Sequence, residues 1–148
     1  MATNDAWLDL VQEDALEPGL PICDPHHHLW EFRTERVDPR YLLDEILLDM
    51  NSGHNIVSTV FIECGSMYKR DGPVPLRVVG ETEFVNGIAA MSASGLYGPG
   101  RVAAGIIGTA DLTVGADISK VLDAQIAAGG GRFKGIRHGC TWDASDDV

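Results

Sequence analysis

Four short runs of strand character alternate with three helical periodicities, and this alternation limits the fold more than any other feature of the chain. Leu20-Pro21-Ile22-Cys23-Asp24 reads as a first buried strand. Ile56-Val57-Ser58-Thr59-Val60-Phe61-Ile62 is rich in β-branched and aromatic residues, too short for a typical helix, and suited to a buried parallel strand. Arg101 to Ile107 is a third strand, and Arg132 to Arg137 a fourth, with His138 at its end. Between the first two, Leu43, Ile46, Leu47 and Met50 fall at i, i+3, i+4 and i+7. That spacing predicts a helix over 39–52, capped by Asp38, opened by Pro39 and stopped by Gly53. Residues 79–94 are helical in pattern, with Thr82, Val85, Ala89 and Ser92 along one side and small Ala89, Ala90 and Ala93 permitting close packing. Ile118, Val121, Leu122 and Ile126 mark the third helix, which Gly129-Gly130-Gly131 terminates.

The order β-α-β-α-β-α-β implies an α/β fold of parallel strands joined by right-handed crossovers. Residues 1–19 form a polar lead-in, with a short helix expected around Trp7 to Val11; 20–142 form the body and 143–148 a polar tail. The loop from Ser66 to Leu76, rich in glycine, proline and charge, has the length of a binding loop or lid.

Composition narrows the function classes. The 148 residues are 45% hydrophobic and 22% charged, as expected of one globular domain. A net charge of −11, from 22 acidic and 11 basic residues, repels nucleic acid and anionic lipid. It keeps the chain soluble and still leaves room for a small anionic substrate where a few Arg and His residues reverse the local potential. Cys23, Cys64 and Cys140 form no CxxC pair, which excludes a zinc ribbon and a thioredoxin-type motif and predicts buried, inert, free thiols in a reducing cytoplasm. The acidic start lacks the basic and apolar segments of a signal peptide. No apolar run approaches the roughly 18–20 residues of a membrane span.

The chemistry concentrates in Asp24-Pro25-His26-His27-His28. Side chains alternate along an extended strand, so His26 and His28 point one way and His27 the other. Two imidazoles on one face make a half-site for Zn²⁺ or a similar divalent ion, and Asp24 on that face is placed to orient a ligand. Three neighbouring histidines also suit a solvated loop, or a core histidine satisfied by hydrogen bonds. Their position at the end of a first strand in an alternating chain favours the metal reading, because functional groups of β/α barrels gather at strand C-termini.

Glu63 closes the second strand, where it can bind substrate, hold a ligand or form a salt bridge to a neighbouring strand. Arg137 and His138 end the fourth; on adjacent positions only one faces the site, with Arg137 the better match to a substrate carboxylate and His138 second. Lys134 lies within the strand and reads as structural. The Gly129–Gly135 stretch lacks a GKS or GKT sequence and leads into a strand, against phosphate binding. His54 follows a helix stop and reads as a surface residue.

Asp24-Pro25-His26-His27-His28-Leu29-Trp30 resembles the signature that opens the amidohydrolase superfamily. It is most similar to the branch that includes L-fuconolactonase and pyrone-dicarboxylate lactonase. Phe61-Ile62-Glu63-Cys64 and Gly135-Ile136-Arg137-His138 resemble strand ends of the same branch, and the similarity runs from about Leu20 to Trp142. The resemblance implies a TIM-type (β/α)8 barrel that hydrolyses a lactone, ester or amide at its C-terminal mouth, with His26 and His28 as metal ligands. Some lactonases of the branch work without a metal, and there the matching histidines bind substrate. The family also uses histidines after its fifth and sixth strands and an Asp after its eighth as proton shuttle. Here the chain is expected to stop after the fourth strand, so that the catalytic Asp lies beyond residue 148 and Asp143, Asp146 and Asp147 do not fill its role. Lys134, being inside its strand, does not match the carboxylated lysine of binuclear relatives, which implies a mononuclear site or none.

The superfamily also hosts non-oxidative decarboxylases, which an HxH pair does not separate from hydrolases. A non-catalytic truncated or assembly fragment is the remaining reading. Four strands leave two open edges. The expected partners are therefore a small-molecule substrate and either a second copy or the remainder of the barrel, and the chain alone is expected to dimerise, aggregate or stay partly molten.

Overall fold

A computed structural model describes residues 10–11, 13–36 and 38–145. Their strands are β1 (Ile22–His27), β2 (Ile56–Ile62), β3 (Arg101–Gly108) and β4 (Phe133–Ile136); their α-helices are α1 (Leu43–Met50), α2 (Val79–Ala93) and α3 (Ile118–Gly129). The strands form one sheet in the order β1-β2-β3-β4, and every neighbouring pair is parallel. Chain order and sheet order thus coincide, and β1 and β4 are the edges. Of the helix expected around Trp7 to Val11, only Leu10 and Val11 lie within the described residues, and both are exposed. Asp146 and Asp147 also lie outside them.

The helices pack on one face of the sheet. Leu43, Ile46 and Met50 of α1 and Val85 and Ala89 of α2 meet Phe61, Val102, Ala103 and Ile106 of the central strands in a single buried cluster. The predicted side of α2 is the buried one: Thr82, Val85, Ala89 and Ser92 are all inside. α3 joins the same layer, since a Cβ on Gly108 would touch Thr82, Gln125 and Phe133. On the opposite face, Val60 and Lys134 flank Gly105. There Val60, Ile62 and Ile107 stay half-buried.

Several boundaries and faces depart from the sequence reading. α1 begins at Leu43 rather than near Pro39, and Asp38 does not cap it. Instead the Asp38 carbonyl accepts the Trp30 indole N–H at 2.9 Å, and Trp30 pairs antiparallel with Tyr41, which holds the preceding segment extended. Glu45 Oε2 accepts the Leu42 backbone N–H at 2.8 Å and does the capping. The helix ends at Met50 with Asn51 as its C-cap, ahead of Gly53.

β1 starts later and runs on through the histidine run, ending at His27 rather than Asp24. In α3 the inward positions are Val121, Gln125 and Gly129, and Ile126 is 59% exposed. Gln125 is tolerated inside because both ends of its amide are bonded: Oε1 accepts from Thr82 Oγ1, and Nε2 donates to the Thr109 carbonyl at 2.9 Å. Gly130, at φ 54°, takes the left-handed turn that stops the helix. The thiols differ from expectation too: all three are free, but Cys23 and Cys140 are exposed and only Cys64 is partly buried. Among the described residues no helix is long and apolar enough to cross a membrane.

Candidate functional site

At the C-terminal end of β1 the chain places two imidazoles together. The Nε2 atoms of His26 and His28 are 3.2 Å apart, with ring centroids at 4.9 Å and planes at 86°. His27 turns the other way, buried at 7% exposure, with its ring edge-on to Phe61 at 5.8 Å. The alternation expected of the strand therefore holds for these three residues. β1 is bulged against β2 between Asp24 and His27. Asp24 Oδ1 accepts the backbone N–H of His26 at 3.0 Å, so it fixes the main chain under the ring instead of touching either ring.

The second contact of His28 sets its tautomer. Nδ1 lies 2.8 Å from the carbonyl oxygen of Ile62, the last residue of β2. A carbonyl only accepts, so Nδ1 carries the proton and Nε2 keeps its lone pair. Burial holds the imidazole below its ordinary pKa, which keeps it neutral. In the free chain His26 Nε2 then donates across the 3.2 Å contact. Two nitrogens bound to one zinc at about 2.0–2.1 Å and a tetrahedral angle stand about 3.3 Å apart. The pair already has that spacing. Among the described residues no group of three or more His, Cys, Asp or Glu side chains is gathered for an ion.

Glu63 forms a salt bridge, one of the roles expected of it, and its partner is Arg137, the candidate for a substrate carboxylate. The guanidinium spans β3, giving Nε to Glu63 Oε1 and one Nη to the Glu63 carbonyl, both at 2.7 Å. Their frame is the sheet itself: Glu63 N–H donates to Ile107 and Arg137 N–H to Gly108. Thr109 Oγ1 adds a bond to the Arg137 carbonyl at 2.9 Å. Glu63 directly follows Ile62, whose carbonyl meets His28 Nδ1, so the ion pair and that imidazole share the end of β2. The field of His138 falls instead on Asp111, whose carboxyl is held low chiefly by Thr113. Of the adjacent pair, Arg137 is the one bonded to Glu63, next to the carbonyl that His28 reaches. Lys134 donates its Nζ to the Gly131 carbonyl, at the strand's opposite end.

Other residues complete this rim without any local sequence signal. Arg33 donates to the Cys64 carbonyl and lies 3.4 Å from Ser66 Oγ, tying the loop after β1 to the loop after β2. Its guanidinium and that of Arg36 sit 5.9 and 5.2 Å from the Trp30 ring centre, and Trp30 stacks on Tyr41 at 5.1 Å. Burial pushes the Cys64 thiol up, which makes it a poor nucleophile.

The imidazoles stand on an open rim; His26 is exposed. A separate cavity of about 120 Å³ lies at the other end of the sheet, lined by residues that include Met50, His54, Ile56 and Tyr97. It is smaller than the several hundred Å³ of an ordinary small-molecule pocket. Comparison with protein-family models, with curated proteins and with solved structures returned no match to this chain.

Proposed function

We propose that this chain contributes the N-terminal half of a TIM-type barrel hydrolase, in which His26 and His28 are two ligands of a zinc or similar divalent ion. One observation carries the reading: two Nε2 atoms 3.2 Å apart, one with its lone pair freed by an Nδ1–H bond to a main-chain carbonyl. When bound, such an ion supplies Lewis-acid polarisation of a carbonyl and acidification of water. The chain's own groups do the rest of the work on this rim. His26 and His28 present nitrogen, and Arg137 presents a guanidinium, half exposed and held in position by Glu63, to a substrate carboxylate. The substrate class is a lactone, ester or amide of a small carboxylated compound.

The all-parallel sheet with helices on one face and Val60, Ile62 and Ile107 half-buried on the other supports the half-barrel. Open edges at β1 and β4 are where the remaining strands pair, from a second copy or from the rest of the barrel. Those strands also supply the missing ligands and the proton-shuttling carboxylate.

The test joins the chain to the polypeptide that completes its sheet and offers the assembly lactones and carboxylated esters beside a panel of aromatic acids. Acid release from the first panel supports hydrolysis. Carbon dioxide release from the second favours a decarboxylase on the same scaffold, and turnover of neither contradicts both.

A further inference from the structure

The helix α2 carries a carboxylate that the proposed function leaves unused. Glu81 is 1% exposed. Its Oε1 accepts two main-chain bonds, from Cys64 N–H at 3.0 Å and Ser66 N–H at 2.7 Å. Its Oε2 is buried with no hydrogen-bond partner among the described residues. A buried carboxylate costs more to desolvate than a neutral acceptor, and two backbone N–H groups need only a carbonyl or hydroxyl oxygen. The charge does, however, strengthen both bonds, and so clamps the segment they belong to.

That segment is the one on which the candidate site converges. Within five residues, Ile62 supplies the carbonyl that orients His28, Glu63 holds Arg137, and Cys64 and Ser66 receive Arg33. In its midst Gly65 sits at φ 75°, a conformation that leaves the backbone free to swing unless something else fixes it. The helix is pressed close beneath: a Cβ on Gly80 would stand 2.5 Å from the Met67 carbonyl oxygen.

We propose that Glu81 is the positioning residue of this site, fixing the turn after β2 so that the Ile62 carbonyl sets the tautomer and direction of His28. The consequence for metal rests on the reading given under Proposed function; the consequence for the imidazole does not. Two measurements on the intact chain separate them: zinc affinity, by competition with a chromophoric chelator, and the His28 tautomer in the metal-free chain, by long-range proton–nitrogen correlation.

Glu81→Ala should weaken zinc binding about tenfold or more, the usual effect of losing support for a ligand, and turn His28 from the Nδ1–H form into a mixture. Glu81→Gln, which keeps one oxygen for both N–H groups but loses the charge, should recover both readouts in part. A folded Glu81→Ala chain with the parent's affinity and the parent's tautomer overturns the proposal. If zinc binding is indifferent to His26→Ala, the metal reading fails alone, and the tautomer decides Glu81: a mixture in Glu81→Ala supports the role and an unchanged Nδ1–H form refutes it. Should Glu81→Ala not fold, Glu81→Asp, which draws the carboxylate back by one methylene, is judged by the tautomer in the same way.

Discussion

His28 and Ile62, 34 positions apart in sequence, are joined by a 2.8 Å bond from the imidazole Nδ1 to the main-chain carbonyl. It is a contact between adjacent parallel strands, and it decides which nitrogen of His28 faces outward. The nitrogen so exposed is the one 3.2 Å from its counterpart on His26.

Arg137 is predicted to matter more for substrate than for stability. Its contacts to Glu63 are well formed, but the arginine side chain is 45% exposed, and solvent screening limits such pairs to about 0–1 kcal/mol. Arg137→Lys, which cannot reach Oε1 and the carbonyl of Glu63 with the same planar fork, should shift thermal stability little. In the completed barrel it should raise KM for a carboxylated substrate about tenfold, a loss of about 1.4 kcal/mol. Steady-state kinetics and a melting curve check the split; an unchanged KM removes Arg137 from the site.

The buried histidine gives a pH signature. Burial lowers His27 from 6.5 to about 4. Between those values the unfolded chain holds a proton that the folded chain refuses. The stabilisation is therefore complete above about pH 6.5 and is lost as pH falls toward 4, an effect of about 3 kcal/mol at full extent. His28, also lowered, acts in the same direction. Urea titrations of the metal-free chain across this range should show stability rising with pH, and His27→Leu should remove most of the slope. An undiminished slope in His27→Leu contradicts this account.

Gln125 should behave as a structural member of the core. Gln125→Ala leaves the Thr109 carbonyl without its Nε2 donor and Thr82 Oγ1 without its acceptor. A cost of about 2–3 kcal/mol follows from stranded polar groups. Ile126→Ala, at an exposed position of the same helix, should cost no more than about 0.5 kcal/mol. Equal effects in denaturant titrations would reverse the assignment of the helix faces.

That contrast marks the limit of what the sequence makes legible. Residues whose burial follows from spacing are placed correctly on α2, as with Val85 and Ala89, whereas the run of β2 is the parallel strand expected but buries only Thr59 and Phe61 fully. Ile126 was expected inside because apolarity favours it, but Gln125 takes the place through bonds to partners 43 and 16 residues away. The start of α1 departs from the sequence pattern for a similar reason: the Asp38 carbonyl accepts from Trp30, which the Asp-Pro signal does not reveal.

At the site, the shared direction of His26 and His28 was legible from strand period. The bulge between Asp24 and His27, and the ion pair that joins Glu63 to Arg137, required the sheet register. Glu81 carries no sequence signal at all, since its partners lie 15 and 17 residues back along the chain.

The most direct test of the account is a cobalt(II) titration of the chain, followed by visible absorption, beside the His26→Ala, His28→Ala and His27→Leu variants. One ion per chain should bind, with affinity falling at least about tenfold in either of the first two and holding in the third. Binding that ignores His26 and His28, or that depends equally on His27, would contradict a metal half-site built from the two imidazoles.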